Sequence, residues 1–258
     1  MELKLWTVAF ADAWNALSNV AFPTDVEASG EDDLSDERFL ACFPLVWAAW
    51  GFGGAVAAWM ISTLLPLSLA ASAVSAIIIV LAWEFISAAG NVSSLTGYLQ
   101  RILERRGMRA EGSNDMLGFE VSGATLFISL YLLKIVCVGA VVYSGRFSWL
   151  VVAMALGGLV RARLAADDSS GKAVIPVEEG GAAARMSWGA AVAVVIAAGI
   201  WYLPAVSLAL LAAWGITAVG GKTIRSAPAG TANTAIDALG AAADILFLLA
   251  GAALLVGR

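Results

Sequence analysis

The chain has 258 residues, of which 60% are hydrophobic and 14% charged, with a formal charge of −5 and a mean hydropathy of +0.85. A soluble domain carries about 45–50% apolar and about 25% charged residues, so this balance excludes a water-soluble globular protein and points to one embedded in a bilayer. Histidine is absent, which removes His-ligated zinc or haem and the imidazole base from the available chemistry.

The first 22 residues do not form a cleavable signal, because Asp12 and Asn15 interrupt what would be its apolar centre. Trp6, Phe10, Trp14 and Leu17 recur at helical spacing, which predicts an amphipathic helix at the membrane interface, stopped by Pro23. Next comes "DVEASGEDDLSDE", seven of the nine acids in the first 37 residues, read as a solvated segment.

From residue 39 onward the pattern is that of membrane spans. A span takes about 20 mostly apolar residues, and no sheet-like alternation suggests a barrel, so helices are the way to satisfy the backbone in lipid. About seven are predicted: 40–63, 67–89, 116–143, a short one at 147–160, 186–202 and 204–220 split at Pro204, and 234–256. The fold class expected is all-α, a polytopic helix bundle in one integral membrane domain over 1–258. Its cytoplasmic amphipathic and acidic part is 1–38, and the bundle is 39–258. Cys42 and Cys137 both fall in apolar runs and read as small buried hydrophobes rather than a disulfide or metal pair.

Orientation follows from Lys and Arg. Lys4, Arg38, Arg101, Arg105, Arg106, Arg109, Arg161, Arg163, Lys172, Arg185, Lys222 and Arg225 fall in one set of loops, against Arg146 and Arg258 in the other. The expected N-terminus is cytoplasmic and the C-terminus outside. Of the two long cytoplasmic loops, 161–185 reads as ordinary loop. In 92–115, Leu95, Leu99, Ile102 and Leu103 share a face opposite the arginines. That face predicts an interfacial helix anchored by anionic lipid, or one whose arginines line a site for an anionic substrate.

Charges within spans are costly, about 2.5–3.5 kcal/mol at mid-bilayer on insertion scales, so each needs a reason. They are Glu84, Glu120, Lys134, Asp237 and Asp244. The threading places the four acids at one depth on the cytoplasmic side, near Asn114, Asp115 and Asn233, with Lys134 deeper, towards the outer half. Asp237 and Asp244, seven apart, share a helix face. Each acid alone is explained by snorkelling or by a loop arginine. Together they point to a shared polar cavity. Carboxylates and amides suit a hard cation such as Mg²⁺, and a basic loop suits a phosphate. A transport cavity or a polar helix interface gives the same pattern.

Several stretches in order resemble the cobalamin synthase family (adenosylcobinamide-GDP ribazoletransferase). They are "AFADAWNALSNVAFP", "RFLACFPLVWAAWGFGGAV", "MLGFEVSGATLFISLYLLKIVCV" with its Lys134, "GGLVRARLA" and "APAGTANTAIDALGAAADILFLLAGAAL". The likeness runs over nearly the whole chain and implies a multi-pass protein of the cytoplasmic (inner) membrane of a bacterium or archaeon. It departs at "WEFISAAGNVSSLTGYLQ", where the family carries His and then Asp-Gly-Leu-Ala-Asp-Thr-x-Asp-Gly. Glu84 stands at the histidine position, and Ile86, Gly90 and Ser93 at the three aspartates thought to hold Mg²⁺. Asn233 replaces the Asp of the family's C-terminal turn.

Two functions follow from the resemblance. In the first, the chain is a Mg²⁺-dependent phosphotransferase acting on a corrinoid nucleotide: α-ribazole or its phosphate attacks the phosphate bonded to cobinamide and GMP leaves. Glu84 and Glu120 would be catalytic, and Glu84, Asn91, Asp115, Asn233, Asp237 and Asp244 the metal set. Arg101, Arg105 and Arg106 would meet the guanylyl phosphates. In the second, the chain is a catalytically silent relative, a structural or assembly subunit with membrane-protein partners, since Ile, Gly and Ser cannot replace three carboxylate ligands. Nucleic acid is not an expected partner in either.

Overall fold

A computed structural model describes residues 2–22, 36–65, 68–87, 91–105, 116–167, 181–199, 202–225 and 232–255. They form an all-α protein whose helices are α1 (Glu2–Leu17), α2 (Asp36–Leu64), α3 (Leu69–Ile86), α4 (Asn91–Arg105), α5 (Met116–Tyr143), α6 (Ser148–Asp167), α7 (Gly181–Gly199), α8 (Leu203–Arg225) and α9 (Ala232–Leu255). Six are long and apolar enough to cross a membrane: α2, α3, α5, α6, α8 and α9. The apolar part of α7, Arg185–Gly199, is shorter.

Exposure supports the membrane reading independently of hydropathy. Leu69, Val74, Ile77, Ile78, Leu81 and Phe85 on α3 all face outward, as do Phe127, Ile128, Leu132, Leu133 and Val136 on α5. An outer surface this apolar has no counterpart on a soluble monomer and matches contact with acyl chains.

α6 is the central helix. Its stretch Val152–Val160 is buried throughout, in contact with α2, α7, α8 and α9. Glycine allows the closest of these approaches. A Cβ on Gly51 would lie 2.7 Å from the Leu150 carbonyl oxygen, and one on Gly158 would lie 2.8 Å from that of Phe43. The pairing of 51 with 150 and of 43 with 158 makes α2 and α6 antiparallel. Small residues let backbones meet where no hydrophobic driving force acts between helices, and dispersion contacts accumulate over the interface.

The two amphipathic segments pack against protein. Val8, Ala9 and Ala13 of α1 are buried, and Trp14 meets Trp50 of α2 edge-on with ring centres 6.1 Å apart. α1 ends at Leu17, ahead of Pro23, which lies outside the described residues. In α4, the described part of the face expected at the interface, Leu95 and Leu99, packs on protein. Leu95 joins Ala238, Ala241 and Ile245 of α9, with Leu99 of α4 and Leu130 of α5 beside them.

Candidate functional site

The polar stretch at the end of α3 is first of all a helix terminus that needs hydrogen-bond donors. The last carbonyls of a helix have no intrahelical partner, and in a membrane protein they cannot be left bare. The segment after α1 supplies the donors. Asn19 donates its backbone N–H to the Ile86 carbonyl at 2.7 Å. Its side-chain Nδ2 donates to the Phe85 carbonyl at 3.0 Å and to the Ser87 carbonyl at 3.3 Å. The segment is itself held to α1, because Trp14 Nε1 donates to the Val20 carbonyl and Asn15 Oδ1 accepts the Phe22 N–H.

One turn before that joint, Glu84 meets Lys134. The ammonium of Lys134 donates to Glu84 Oε1 at 2.8 Å, with Lys134 1% and Glu84 20% exposed. Lys134 is thus not isolated towards the far half of its span. Its long stem brings the charge to the level of the acid, 5.8 Å from the centre of the Trp83 ring. Trp83 is fixed in turn by donating Nε1 to the Trp50 carbonyl at 3.0 Å.

A second pair lies between α6 and α9. Arg161 donates from Nη1 to Asp244 Oδ1 at 3.2 Å and from Nη2 to Oδ2 at 2.9 Å, and both side chains are 1% exposed. The guanidinium carbon sits 3.9 Å from the centre of the Trp47 ring on α2. A planar fork matched to a carboxylate and stacked on an indole is a role that Arg fills and Lys does not. Two glycines make the room. A Cβ on Gly157 would collide with Asp244 Oδ1, and one on Gly240 would lie 2.5 Å from the Arg161 side chain. Arg161, counted with the loop cations from sequence, is therefore inside α6, which runs on through Asp167. The signal was available in "GGLVRAR" and "DALGAAAD": glycines one turn from an Arg and from an Asp, in spans otherwise apolar.

The pairs are not independent. Asp244 is within electrostatic reach of both Lys134 and Glu84. Asp237, seven residues before Asp244 on α9 and partly buried, is within reach of Arg161. Glu84, Lys134, Asp244, Arg161 and Asp237 are thus linked in sequence by pairwise electrostatic contacts, while the side chain of Glu120, the fourth acid expected there, lies outside the described residues. Of the other expected site residues, Asp115 and Arg106 lie outside the described residues. Asn91 begins α4, Arg105 ends it, Glu120 is in the second turn of α5 and Asn233 in the first turn of α9, each placed by its backbone. Arg101 is exposed on α4.

Glu84 and Asp244, as they are paired here, do not fit Mg²⁺. Such an ion takes carboxylate oxygens free of competing cations, yet both oxygens of Asp244 accept from Arg161 and Glu84 accepts from Lys134. Among the described residues no three acids or thiols come together as a ligand set.

Fold and site together define an all-α, multi-pass membrane protein in which two ion pairs among the described residues join helices across the bundle. Comparison with protein families, with characterised proteins and with solved structures finds no match.

Proposed function

We propose that this chain is a catalytically silent relative of the cobalamin synthase family and serves as a structural or assembly subunit in the cytoplasmic membrane. With the shorter α7 crossing as a seventh span, its N-terminus is cytoplasmic and its C-terminus outside. The observation that carries the reading is the use to which the acids are put. Asp244 gives both oxygens to Arg161 and Glu84 accepts from Lys134, so two of the carboxylates a phosphoryl-transfer site would use for metal join helices instead.

The end of α3 supports the same reading. The resemblance puts one of the family's aspartates at Ile86, and here the Ile86 carbonyl receives the Asn19 N–H in the joint between α1 and α3. A segment that would have to present metal ligands is occupied with capping a helix.

The test is turnover. The purified protein in liposomes, given Mg²⁺, adenosylcobinamide-GDP and α-ribazole, should release neither cobalamin nor GMP above empty liposomes by mass spectrometry, while an active family enzyme in the same preparation does. Product above the empty-liposome control would overturn the proposal and return Glu84, Asn91, Asp115, Asn233, Asp237 and Asp244 to candidacy as metal ligands.

A further inference from the structure

Asp237, Gly240 and Asp244 stand at positions i, i+3 and i+7 of α9 and so form one stripe along the helix. Arg161 lies over the middle of that stripe. A Cβ on Gly240 would be 2.5–2.6 Å from Arg161 Cγ, Cζ and Nε, so the side chain rests on bare backbone between the two acids. Asp244, on one side, holds the guanidinium with two hydrogen bonds. Asp237, on the other, makes no hydrogen bond or ion pair with a described residue, although the Arg161 charge reaches it.

We infer that Arg161 and α9 form a two-position latch, with Asp237 as the alternative acceptor. The two acids are separated by about 10 Å along the helix axis at 1.5 Å per residue, and Arg161 starts from between them. A swing of the guanidinium across Gly240 therefore changes partners without moving the α6 backbone. Only glycine at 240 permits that passage, because any side chain there would occupy the path.

The two positions have different consequences. In the observed one, Arg161 stacks on Trp47 and ties α2, α6 and α9 at a single point. In the other, the guanidinium turns towards the N-terminal end of α9, leaves the Trp47 face, and frees Asp244 and α2 from that tie. A buried ion pair is weak evidence of stability but is well suited to choosing between packings, since an unpaired buried charge is strongly disfavoured. Partner exchange keeps Arg161 paired in both, and in the second position Asp244 is left to the Lys134 charge within its electrostatic reach. The inference does not depend on whether the chain is catalytic.

The full-length protein in detergent tests it through four forms: wild type, Asp237→Asn, Asp244→Asn and the double variant. Thermal midpoints should show a small loss for Asp237→Asn, a moderate one for Asp244→Asn, and for the double variant a loss larger than the sum of the two. Either acid alone then suffices for Arg161. Additive losses, or an Asp244→Asn protein as damaged as the double variant or unable to fold, would overturn the latch. A structure of Asp244→Asn gives a readout that general destabilisation would not produce. It should show the guanidinium within about 4 Å of the Asp237 carboxylate, the reach of an ion pair. Arg161 still beside Asn at 244 would equally overturn it.

Discussion

Lys134, the most deeply buried ammonium described, finds its counter-charge fifty residues earlier in the chain, where Glu84 Oε1 stands 2.8 Å from Nζ across the α3–α5 interface. The two partners are not equivalent. Lys134 is 1% exposed, whereas Glu84 keeps 20% of its side chain open.

That asymmetry sets the order of effects when the pair is broken. Removing one member of a buried pair costs about 3–5 kcal/mol, because the other is left charged and alone. Glu84→Gln strands the fully enclosed ammonium and should lower the thermal midpoint in detergent more than Lys134→Met, which leaves the partly open carboxylate. The double variant Glu84→Gln/Lys134→Met should recover much of the loss. Losses that add would show that the two groups are not coupled.

The glycines of α2 should separate cleanly by position. Gly51 faces the Leu150 and Val151 backbone, so Gly51→Ala must push α2 and α6 apart and should lower the thermal midpoint. Gly53, two residues on, has open space around its Cβ position. Gly53→Ala should be neutral or raise stability by up to about 1 kcal/mol, the helix-propensity difference between the two residues. Equal effects at the two positions would refute the close α2–α6 packing.

Asp12 on α1 supplies a pH dependence. Burial pushes its carboxyl above the ordinary carboxylate value, and Oδ2 is enclosed with no hydrogen-bond partner among the described residues. A carboxyl raised in the folded state gives stability that is fully present below its unfolded pKa, about 4, and lost as pH rises through the folded pKa. Asp12→Asn should therefore gain stability relative to wild type at about pH 7 and lose that advantage towards about pH 4, as followed by thermal unfolding over that pH range. A difference between the two proteins that does not change with pH would remove Asp12 as the titrating group.

The spans were legible because hydropathy and length mark them directly. The predicted 116–143 coincides with α5, and 40–63, 67–89 and 234–256 fall within a few residues of α2, α3 and α9. The short span 147–160 was cut at the first arginine, whereas α6 continues past Arg161 to Asp167. A cation reads as the end of a span in any hydropathy profile, and only the carboxylate on another helix makes it affordable inside. The intramembrane acids Glu84, Asp237 and Asp244 stood out in the sequence as charges within spans, but the partners of Glu84 and Asp244 did not. Pairing depends on which helices are neighbours, and one sequence does not encode adjacency as a pattern. For the same reason Leu95 of α4 read as part of an interfacial face, when Ala238, Ala241 and Ile245 pack against it.

The joint between Asn19 and the end of α3 carries a consequence for how the protein is made. α1 and its trailing segment leave the ribosome before α3 does, so the donors are synthesised before the carbonyls they cap. Between the two, α2 must enter the membrane and turn back. The joint therefore closes a loop of more than sixty residues, from Asn19 to Phe85, around the first membrane hairpin. Every group in the joint is synthesised before α5 brings the lysine that pairs with Glu84, so closure needs nothing from the later helices.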